Sequence, residues 1–425
     1  MEEGARAARD VVALTDGAVG AYVHVPFCER ICPFCPYNKV VAEEGLARRY
    51  FAALDREMAW YAEALAEAGR GPFTSLYVGG GTPTLYPDAL ERVVDALPTE
   101  GERAVEVLPT HGTAERLARL AAIGITAVSI GAQSFHDDVL RRLRRPHDAA
   151  ASRAAVENAL GRFVTVDVDL IVDVAWEEDA ALAGAFLDDV RTCFQLGVDQ
   201  VSTYPLMRFG YTPFGRVRHD RRREHEVLRA ASALAAGMGY ERRSVWTFNR
   251  IGSTPYTSIT RPRFLGMGAG ASSFAGRDFL VNHFGVQAYA EAVEHGRLPL
   301  ARRFHLGPVA GAGYDSFWQA YAGGVDVGAL SRSFGPVPSG LAACASRGLA
   351  LAGVMRPVPG GYRLTARGYD VYHDLERRVT YSLIEPLWAE MLAEHASVPG
   401  GGWASPGSAR GGSVWWLARH LFERS

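Results

Sequence analysis

The sequence predicts an α/β protein built around a (β/α)6 partial barrel, the partial TIM barrel type, followed by a small α+β, mostly helical C-terminal domain. Two observations support this fold class. Short runs rich in β-branched and aromatic residues alternate with longer runs of helical periodicity, and the alternation occurs six times. Alternation at this spacing is typical of parallel strands joined by right-handed crossovers. Because ligands in such folds lie at the carboxyl ends of the strands, we expect the functional site there.

The six predicted strands are separated by sequence with the pattern of amphipathic helices, among them residues 43–69 and the stretch that begins at Pro87. In chain order the strands are AYVHV (21–25), SLYVGG (75–80), AVEVLP (104–109), TAVSIGAQ (126–133), VTVDVDLIVDV (164–174) and DQVSTYPL (199–206).

The pattern changes along the chain and divides it into five segments. A lead (1–19) precedes the partial barrel (20–250), and a Gly-rich segment (251–310) is expected to complete the core. Residues 311–394 are predicted to form the C-terminal domain, in which GVMRPVPGGYRLT has the pattern of a hairpin. Residues 395–425 are rich in Gly, Pro and Ser and are predicted to be a flexible tail.

Length and composition indicate a soluble globular protein. Of the 425 residues, 48% are hydrophobic and 22% charged, which is too apolar for a disordered chain. No run approaches the ~18 consecutive apolar residues of a membrane span, and the first residues lack the apolar stretch of a signal peptide, so we expect a cytoplasmic protein. The formal net charge of −2 creates no global field for nucleic acid or an anionic membrane, and we expect neither as a partner.

Three of the five cysteines crowd into one CxxxCxxC motif directly after the first predicted strand, as Cys28, Cys32 and Cys35. Three thiolates on one loop can each hold one iron of a [4Fe–4S] cluster, and the absence of a fourth nearby cysteine leaves one iron open for a ligand. The arrangement does not resemble the disulfide framework of a secreted protein.

Two other interpretations of the cysteines remain open at this point. His24 could complete a Cys3His set for zinc, although structural zinc sites usually have a different spacing. The three cysteines could also be buried and inert, but Pro33 and Pro36 favour a loop at this position rather than a packed helix.

CxxxCxxC after the first strand of a βα barrel resembles the motif of radical S-adenosylmethionine (SAM) enzymes. YVHVPFCERICPFC is similar to the version found in the branch of the oxygen-independent coproporphyrinogen III dehydrogenases and heme chaperones. The resemblance extends over roughly residues 20–390. It includes, in the family order, Gly79–Thr84, Glu106, Ile130–Phe135, Arg145 and Asp169–Ile171.

The resemblance implies two SAM sites above the cluster. For the first SAM it implies that Gly79, Gly80, Gly81 and Thr82 allow close backbone approach. It implies that Glu106 and Arg145 hold the ammonium and carboxylate groups, and that Gln133 and Asp169 hold ribose hydroxyls. Tyr22 and Phe34 would flank the bound molecules, although each is also a reasonable core aromatic. The residues that correspond to contacts of a second SAM are Phe34, Gly81, Ile171 and Met207.

Departures from the decarboxylase and chaperone patterns lead to the expected activity. Tyr37 stands where the coproporphyrinogen enzyme has an additional cysteine, and Leu170–Ala175 and Gly252–Ser258 differ from the family motifs at those places. Residues 364–388 look most like the C-terminal region of class C radical SAM methyltransferases and cyclopropanases. We therefore expect transfer of a methyl or methylene group to an sp² carbon of an aromatic or alkene natural-product intermediate, with electrons from a flavodoxin- or ferredoxin-type donor. The alternatives are oxidative decarboxylation or another modification of a porphyrin or heme, and a heme chaperone.

Such a reaction also requires proton handling. The candidates for the catalytic groups are Tyr22, His24, Glu241 and His283. For His24 the alternative is a hydrogen-bonded core histidine, which is the commoner role of a lone histidine on a strand.

Overall fold

The computed structural model describes residues 2–15, 17–172, 184–216, 221–254 and 263–396. The predicted tail from residue 397 onward, the end of the fifth predicted strand with the residue that follows it (173–175) and part of the segment before the Gly-rich turn (255–258) lie outside the described residues.

Seventeen strands and fourteen α-helices make up the described part of the chain. The strands are β1 (Gly20–Val25), β2 (Phe27–Cys28), β3 (Val40–Val41), β4 (Leu76–Gly80), β5 (Arg103–Val107), β6 (Ala127–Gln133), β7 (Thr165–Val172), β8 (Gln200–Pro205), β9 (Tyr240–Arg242), β10 (Thr247–Arg250), β11 (Phe264–Met267), β12 (Ser272–Ala275), β13 (Asp278–Asn282), β14 (Leu300–His305), β15 (Gly324–Asp326), β16 (Met355–Val358) and β17 (Gly361–Leu364). The helices are α1 (Glu2–Leu14), α2 (Glu44–Glu67), α3 (Pro87–Ala96), α4 (Ala114–Ala122), α5 (Asp137–Arg142), α6 (Ala149–Ala159), α7 (Ala185–Leu196), α8 (Arg221–Gly237), α9 (Val286–Glu294), α10 (Pro308–Tyr321), α11 (Val327–Phe334), α12 (Pro336–Leu351), α13 (Ala366–Val379) and α14 (Glu385–Ala396).

A twelve-stranded mixed sheet forms the main body, in the order β14-β13-β12-β11-β1-β4-β5-β6-β7-β8-β10-β9. The six predicted strands are confirmed as β1, β4, β5, β6, β7 and β8, which pair in parallel in that order. β11 adds a seventh parallel strand beside β1, and the strands at both ends pair antiparallel. The α/β fold class predicted from the alternation of strands and helices is therefore confirmed.

Period-two alternation on the parallel strands gives the sheet two different faces. On β7, Val166, Val168 and Leu170 belong to the apolar core shared with the surrounding helices. The intervening Asp167 and Asp169 point to the opposite face. The sheet is thus apolar toward its helices and polar toward its inner face.

The lead at the N-terminus contains a helix, for which the sequence analysis made no prediction. α1 carries Ala8, Val11 and Val12 at one face, and these side chains are buried in the main core. The helix packs against α2, so the first residues are part of the main body.

The C-terminal region is mostly helical, as predicted, around a small sheet in the order β15-β17-β16. β16 and β17 form the predicted hairpin, with Met355 opposite Leu364. Within the part of the chain that the structure describes, no helix combines the length and the apolar character needed to cross a membrane.

A buried carboxylate connects α2 to the Gly-rich turn after β11. Glu57 is fully buried and accepts hydrogen bonds from the Gly268 amide at 2.8 Å, the Asn282 side chain at 3.0 Å and the Tyr289 hydroxyl at 2.6 Å. Burial raises the pKa of Glu57 to about 7, against the opposing effect of these donors. The three donors would be left buried without their acceptor if Glu57 were removed.

We predict that Glu57→Ala lowers the free energy of unfolding by about 3 kcal/mol, because each buried donor that loses its partner costs about 1–3 kcal/mol. Urea unfolding followed by circular dichroism measures the change. The matched control is Glu67→Ala on the same helix, whose carboxylate is half-exposed and pairs with Arg9. That change should cost at most about 1 kcal/mol. Equal effects of the two substitutions would contradict the prediction.

Candidate active site

A cavity of about 320 Å³ lies at the carboxyl ends of the parallel strands. Its lining contains most of the residues singled out in the sequence. They are Tyr22, Cys28, Cys32, Phe34, Cys35, Gly80, Gly81, Thr82, Glu106, Gln133, Arg145, Asp169, Ile171 and Met207. Gly79, His24, Glu241 and His283 are not part of the lining.

The strand register explains why residues so far apart in sequence meet. Tyr22 lies opposite Tyr77, Glu106 opposite Ser129, and Ser129 opposite Asp167. Since the parallel strands share one alternation, these side chains all project from the same inner face. The polar groups at the strand ends therefore form one continuous surface below the cysteine loop.

The two ends of the cysteine loop are joined to each other by a separate two-stranded ladder. β2, which ends at Cys28, pairs in parallel with β3, and the Val40 and Ala42 amides donate to the Pro26 and Cys28 carbonyls at 2.7 and 2.9 Å. Between these ends the Cys35 amide donates to the Cys32 carbonyl at 3.2 Å. The three cysteines are thereby held on the wall of one cavity.

Burial dominates the electrostatics of the thiols. It raises the pKa of Cys28 to about 12 and also raises the pKa of Cys35, while the charge of Lys39 acts in the opposite direction on both. Metal binding selects the thiolate form and releases the proton, so buried cysteines of this kind need a metal to become charged.

The geometry of the cysteines fits a cluster better than a single ion. Among the described residues no three His, Cys, Asp or Glu side chains converge closely enough to hold one metal ion. In a cubane each thiolate binds a different iron, so the sulfurs are set wider apart than around a single zinc ion. Both ring nitrogens of His24 are engaged in hydrogen bonds, to Tyr22 at 2.7 Å and Asn38 at 2.8 Å, so His24 is not placed to complete a zinc site.

His24 lies outside the cavity wall and is hydrogen-bonded to Tyr22, which is part of the wall. Because its Nε2 faces the Asn38 carbonyl, this nitrogen carries the proton, and Nδ1 accepts from the Tyr22 hydroxyl. Burial lowers the pKa of His24 to about 4, which keeps the ring neutral. His24 is therefore a residue that orients Tyr22, and its only basic nitrogen is already used.

At Gly79, Gly80 and Gly81 neighbouring groups lie so close to the backbone that a Cβ atom would clash with them. A Cβ on Gly79 would lie 2.7 Å from Glu106 Oε1, and one on Gly81 would lie 2.6 Å from the Phe27 carbonyl oxygen and 3.0 Å from Cys28 Sγ. Gly80 has a φ of 119°, which side chains rarely adopt. The glycines thus bring the end of β4 against both the cysteine loop and Glu106.

Glu106 is held by Tyr77, which donates to its Oε1, and by the Gly80 amide, which donates to its Oε2 at 3.0 Å. Burial raises the pKa of Glu106, and these two donors counteract the shift. The carboxyl group is consequently fixed in position and lies in the cavity wall.

Arg145 follows α5 and contacts both the cysteine loop and β6. Its Nη1 donates to Cys32 Sγ at 3.4 Å and its Nη2 donates to the Gly131 carbonyl at 2.7 Å. Its Nε is buried without a hydrogen-bond partner. Arg145 therefore connects the cysteine loop to β6 and retains a donor for a further group.

Asp169 also has unused hydrogen-bonding capacity. Its Oδ2 accepts from Ser129 Oγ at 2.6 Å, whereas its Oδ1 is buried without a partner. Burial, followed by the charge of Asp167, raises the pKa of Asp169. Nearby, Gln133 follows a register irregularity in β6 and adopts a φ of 68°, which turns the end of the strand at the cavity.

The apolar part of the cavity wall includes the positions expected for a second SAM. Phe34 packs against Ile171, Leu206 and Phe214 in one small cluster, with the Phe34 and Phe214 rings 6.5 Å apart. Met207 packs instead with Tyr204 and the core of the C-terminal region.

The structure does not bring the other two candidate proton-handling groups to the cavity. Glu241 lies on β9 near the sheet edge, half-exposed and paired with Arg243 at 3.0 Å. His283 follows β13 and is linked through its backbone to Gly270 and Pro299. Neither Glu241 nor His283 lines the cavity.

Sequence reasoning missed several residues of the cavity wall, notably Lys39, Tyr77, Ser129 and Tyr204. The period-two pattern contained the signal for three of them, because each is an inward-facing neighbour of a residue already assigned. Lys39 carried a different signal, since it is the single lysine of a chain with 45 lysines and arginines.

Comparison with known proteins agrees with this geometry. Residues 22–178 match the Radical SAM superfamily. Heme chaperone HemW of Bacillus subtilis is 26% identical over 299 residues, covering 66% of this chain and 77% of that protein. Oxygen-independent coproporphyrinogen III oxidase of Cereibacter sphaeroides is 29% identical over 319 residues, covering 66% and 68%. The structure of coproporphyrinogen III oxidase HemN from Escherichia coli, described as a radical SAM enzyme, has a TM-score of 0.73 at 22% identity, covering 88% of this chain and 93% of that one.

Residues 22–178 thus match a superfamily whose members use a [4Fe–4S] cluster and SAM, and the fold resembles that of one of its solved structures. Within the superfamily, the chain is similar to coproporphyrinogen oxidases and to heme chaperones of the HemW type.

The expected methyl or methylene transfer to a natural-product intermediate is wrong. The relatives found are heme chaperones and coproporphyrinogen oxidases, which favour the alternatives named in the sequence analysis. The departures at Tyr37 and in residues 364–388 are local, whereas the similarity to these relatives extends over 66% of the chain.

We predict that Cys28→Ser, Cys32→Ser and Cys35→Ser each abolish cluster binding, because each would remove the ligand of one iron. Iron analysis and visible absorbance after anaerobic reconstitution measure the loss from roughly four irons per chain. Cys193→Ser and Cys344→Ser are the matched controls, since neither residue lines the cavity, and both should retain the iron. Retention of a full cluster by any of the three loop variants would contradict the ligand assignment.

We predict that Gly81→Ala raises the dissociation constant of SAM by about tenfold or more, because the added methyl group would push the end of β4 away from the cysteine loop. Equilibrium binding of SAM to the reconstituted protein measures the change. Gly340→Ala is the control, since a Cβ at that position in α12 meets no atom within 4 Å. Equal affinities in the two variants would show that the close approach at Gly81 is not required.

Proposed function

We propose that the chain is a radical SAM enzyme that oxidatively modifies a tetrapyrrole, with decarboxylation of a propionate side chain as the representative reaction. The observation that carries the proposal is the single cavity in which Cys28, Cys32 and Cys35 face Glu106 and Arg145. The tetrapyrrole class is supported by the relatives, since their names refer to coproporphyrinogen and heme.

When bound, the cluster and SAM supply one-electron cleavage of SAM, which removes a hydrogen atom from a substrate C–H bond. We propose that Cys28, Cys32 and Cys35 hold the cluster. The residues of this chain then have to bind SAM in one orientation and keep water away from the reacting hydrogen.

The polar groups of the cavity suit the parts of SAM. Glu106 is fixed by Tyr77 and Gly80 and suits the ammonium group, while Arg145 suits the carboxylate. Asp169 has an unpartnered Oδ1 and, with Gln133, suits the ribose hydroxyls. Gly80, Gly81 and Thr82 present backbone to the bound molecule.

The remaining wall suits a flat substrate with carboxylate groups. Tyr37, Tyr204 and Met207 supply a broad apolar surface, and Arg30 contributes a cation for a propionate. We propose that Phe34 and Ile171 line the space between SAM and this substrate. A flavodoxin- or ferredoxin-type protein is the proposed source of electrons.

We propose that residues 20–250 with 251–310 form the catalytic body and that residues 311–394 close its side. The contacts that support this division are made by Trp388, whose ring lies 5.9 Å from that of Tyr37, and by Tyr381, whose hydroxyl accepts from the Arg208 amide at 3.0 Å. The C-terminal region thereby reaches the edge of the cavity.

A heme chaperone is the second candidate, because the Bacillus subtilis relative carries that name and matches two thirds of the chain. The cavity residues that we propose to hold SAM favour an enzyme, since storing heme does not require SAM cleavage.

We predict that the reconstituted protein, incubated anaerobically with dithionite, SAM and coproporphyrinogen III, forms 5′-deoxyadenosine together with a product that has lost carbon dioxide and two hydrogens per modified propionate. Mass spectrometry measures both products. Cys32→Ser should form neither, whereas Cys344→Ser should behave as the parent protein.

Other outcomes would contradict the proposal in distinguishable ways. Stable retention of heme without formation of 5′-deoxyadenosine would favour the chaperone. Formation of 5′-deoxyadenosine with unchanged coproporphyrinogen would exclude this substrate and leave the cofactor assignment intact.

A further inference from the structure

The single lysine of the chain lies at the cysteine loop. All other members of the 45 basic Lys and Arg residues are arginines, so a lysine at this position is an exception to the composition. Lys39 is 1% exposed and belongs to the wall of the cavity that contains the three cysteines. A buried ammonium group is costly unless it is hydrogen-bonded, which indicates that this position requires it.

The ammonium group of Lys39 is bound to the loop itself. Its Nζ donates to the carbonyl of Cys35 at 2.6 Å and to the carbonyl of Tyr37 at 3.1 Å. These two carbonyls belong to the third cysteine and to the turn that follows it. The positive charge is therefore fixed beside a residue that the proposed function assigns as a cluster ligand.

The backbone around Lys39 is fixed independently of its side chain. Val40 pairs with Phe27 in the short parallel ladder, and the Asn38 side chain donates to the carbonyls of Ala269 at 3.0 Å and Phe284 at 2.7 Å. Because neighbours on both sides are anchored, the side chain of Lys39 enters the loop from a defined direction. A change confined to its charge should leave this framework in place.

Lysine suits this place better than arginine. Its ammonium is a compact charge with three donors on a narrow stem, whereas a guanidinium is planar and wider and presents its donors in a fixed fork. Two carbonyls of one tight turn offer convergent acceptors for a single nitrogen. The shape of the loop thus accounts for the one exception to the use of arginine.

A fixed buried cation has a predictable effect on a nearby cluster. One-electron reduction adds one negative charge to the cluster, and a neighbouring positive charge stabilises the reduced form more than the oxidised form. The effect is largest where solvent and salt do not screen it, as at a residue that is almost completely buried.

We propose that Lys39 is a positioning residue that holds the turn after Cys35 and raises the reduction potential of the cluster through its buried charge. The proposal rests on the assignment of the three cysteines as cluster ligands and does not depend on the identity of the substrate. Its consequence is that more of the cluster is reduced at the potential of a given electron donor.

The test compares the neutral variants Lys39→Met and Lys39→Gln with the parent protein. Each is reconstituted anaerobically without SAM and titrated with dithionite, and the reduced cluster is followed by electron paramagnetic resonance. We expect the ratio of reduced to oxidised cluster at a fixed potential to fall about tenfold or more, which for one electron corresponds to 59 mV. The shift should persist at high salt, because the charge is buried.

Tyr211→Phe is the matched control. The Tyr211 hydroxyl donates to the Pro36 carbonyl of the same loop at 3.1 Å, so its removal takes away a loop hydrogen bond without changing charge. This variant should load a cluster with the parent potential. A purely structural role of Lys39 would lower the iron content without moving the potential of the clusters that form.

Two results would overturn the proposal. One is a parent-like potential in the loaded Lys39→Met and Lys39→Gln proteins, and the other is failure of both to take up a cluster, which would make Lys39 only a structural part of the loop. The parent protein serves to distinguish failure of this proposal from failure of the proposed function. If the parent protein shows no iron–sulfur signal, the cysteine assignment itself is refuted before any variant is compared.

Discussion

The attachment of the cysteine loop to the first strands is the constraint on which the site depends. A cluster with one open iron requires three thiolates in a fixed arrangement, and the eight-residue segment from Cys28 to Cys35 has no intrinsic reason to supply it. The short ladder between β2 and β3 fixes both ends of the loop, and the Asn38 side chain ties it to the Gly-rich turn. This ladder and the Asn38 side chain thus hold the loop that carries the thiols, and the remaining cavity groups are arranged around them.

Burial of polar groups on the inner face of the sheet lowers the stability of the fold, and the apolar packing of the outer face offsets this loss. Glu106, Asp167 and Asp169 are carboxyl groups in a buried region, and burial raises the pKa of each. Apolar strand residues in the same position would form a more favourable core. Unpartnered atoms such as Asp169 Oδ1 are therefore best explained by a bound polar molecule, which is consistent with the tendency of binding sites to retain locally unfavourable features.

Much of the fold and of the cavity could be predicted from the sequence, because both follow from simple periodicity. Alternation of strands and helices gave the parallel order, and the family motifs at strand ends gave residues such as Glu106 and Asp169 that meet in the cavity. Glu241 and His283 could not be judged this way, since their distance from the site depends on how antiparallel strands outside the six repeats are added to the sheet. The hydrogen bonds of His24 could not be predicted either, because the Asn38 carbonyl lies beside His24 only once the cysteine loop has folded.

The case of Tyr37 shows why a local departure from a family motif is a weak guide to the reaction. Its position follows the third loop cysteine by two residues, where a further cysteine would suggest a role at the cluster. In the structure the residue is 43% exposed and its ring packs against Trp388 of α14, while the neighbouring Pro36 carbonyl accepts from Tyr211. Packing against the C-terminal region therefore constrains the residue type at this position, in addition to any role of the residue in the reaction. A substitution that serves packing between two parts of the chain says little about which bond is broken, whereas the groups that face the cysteines within the cavity bear directly on it.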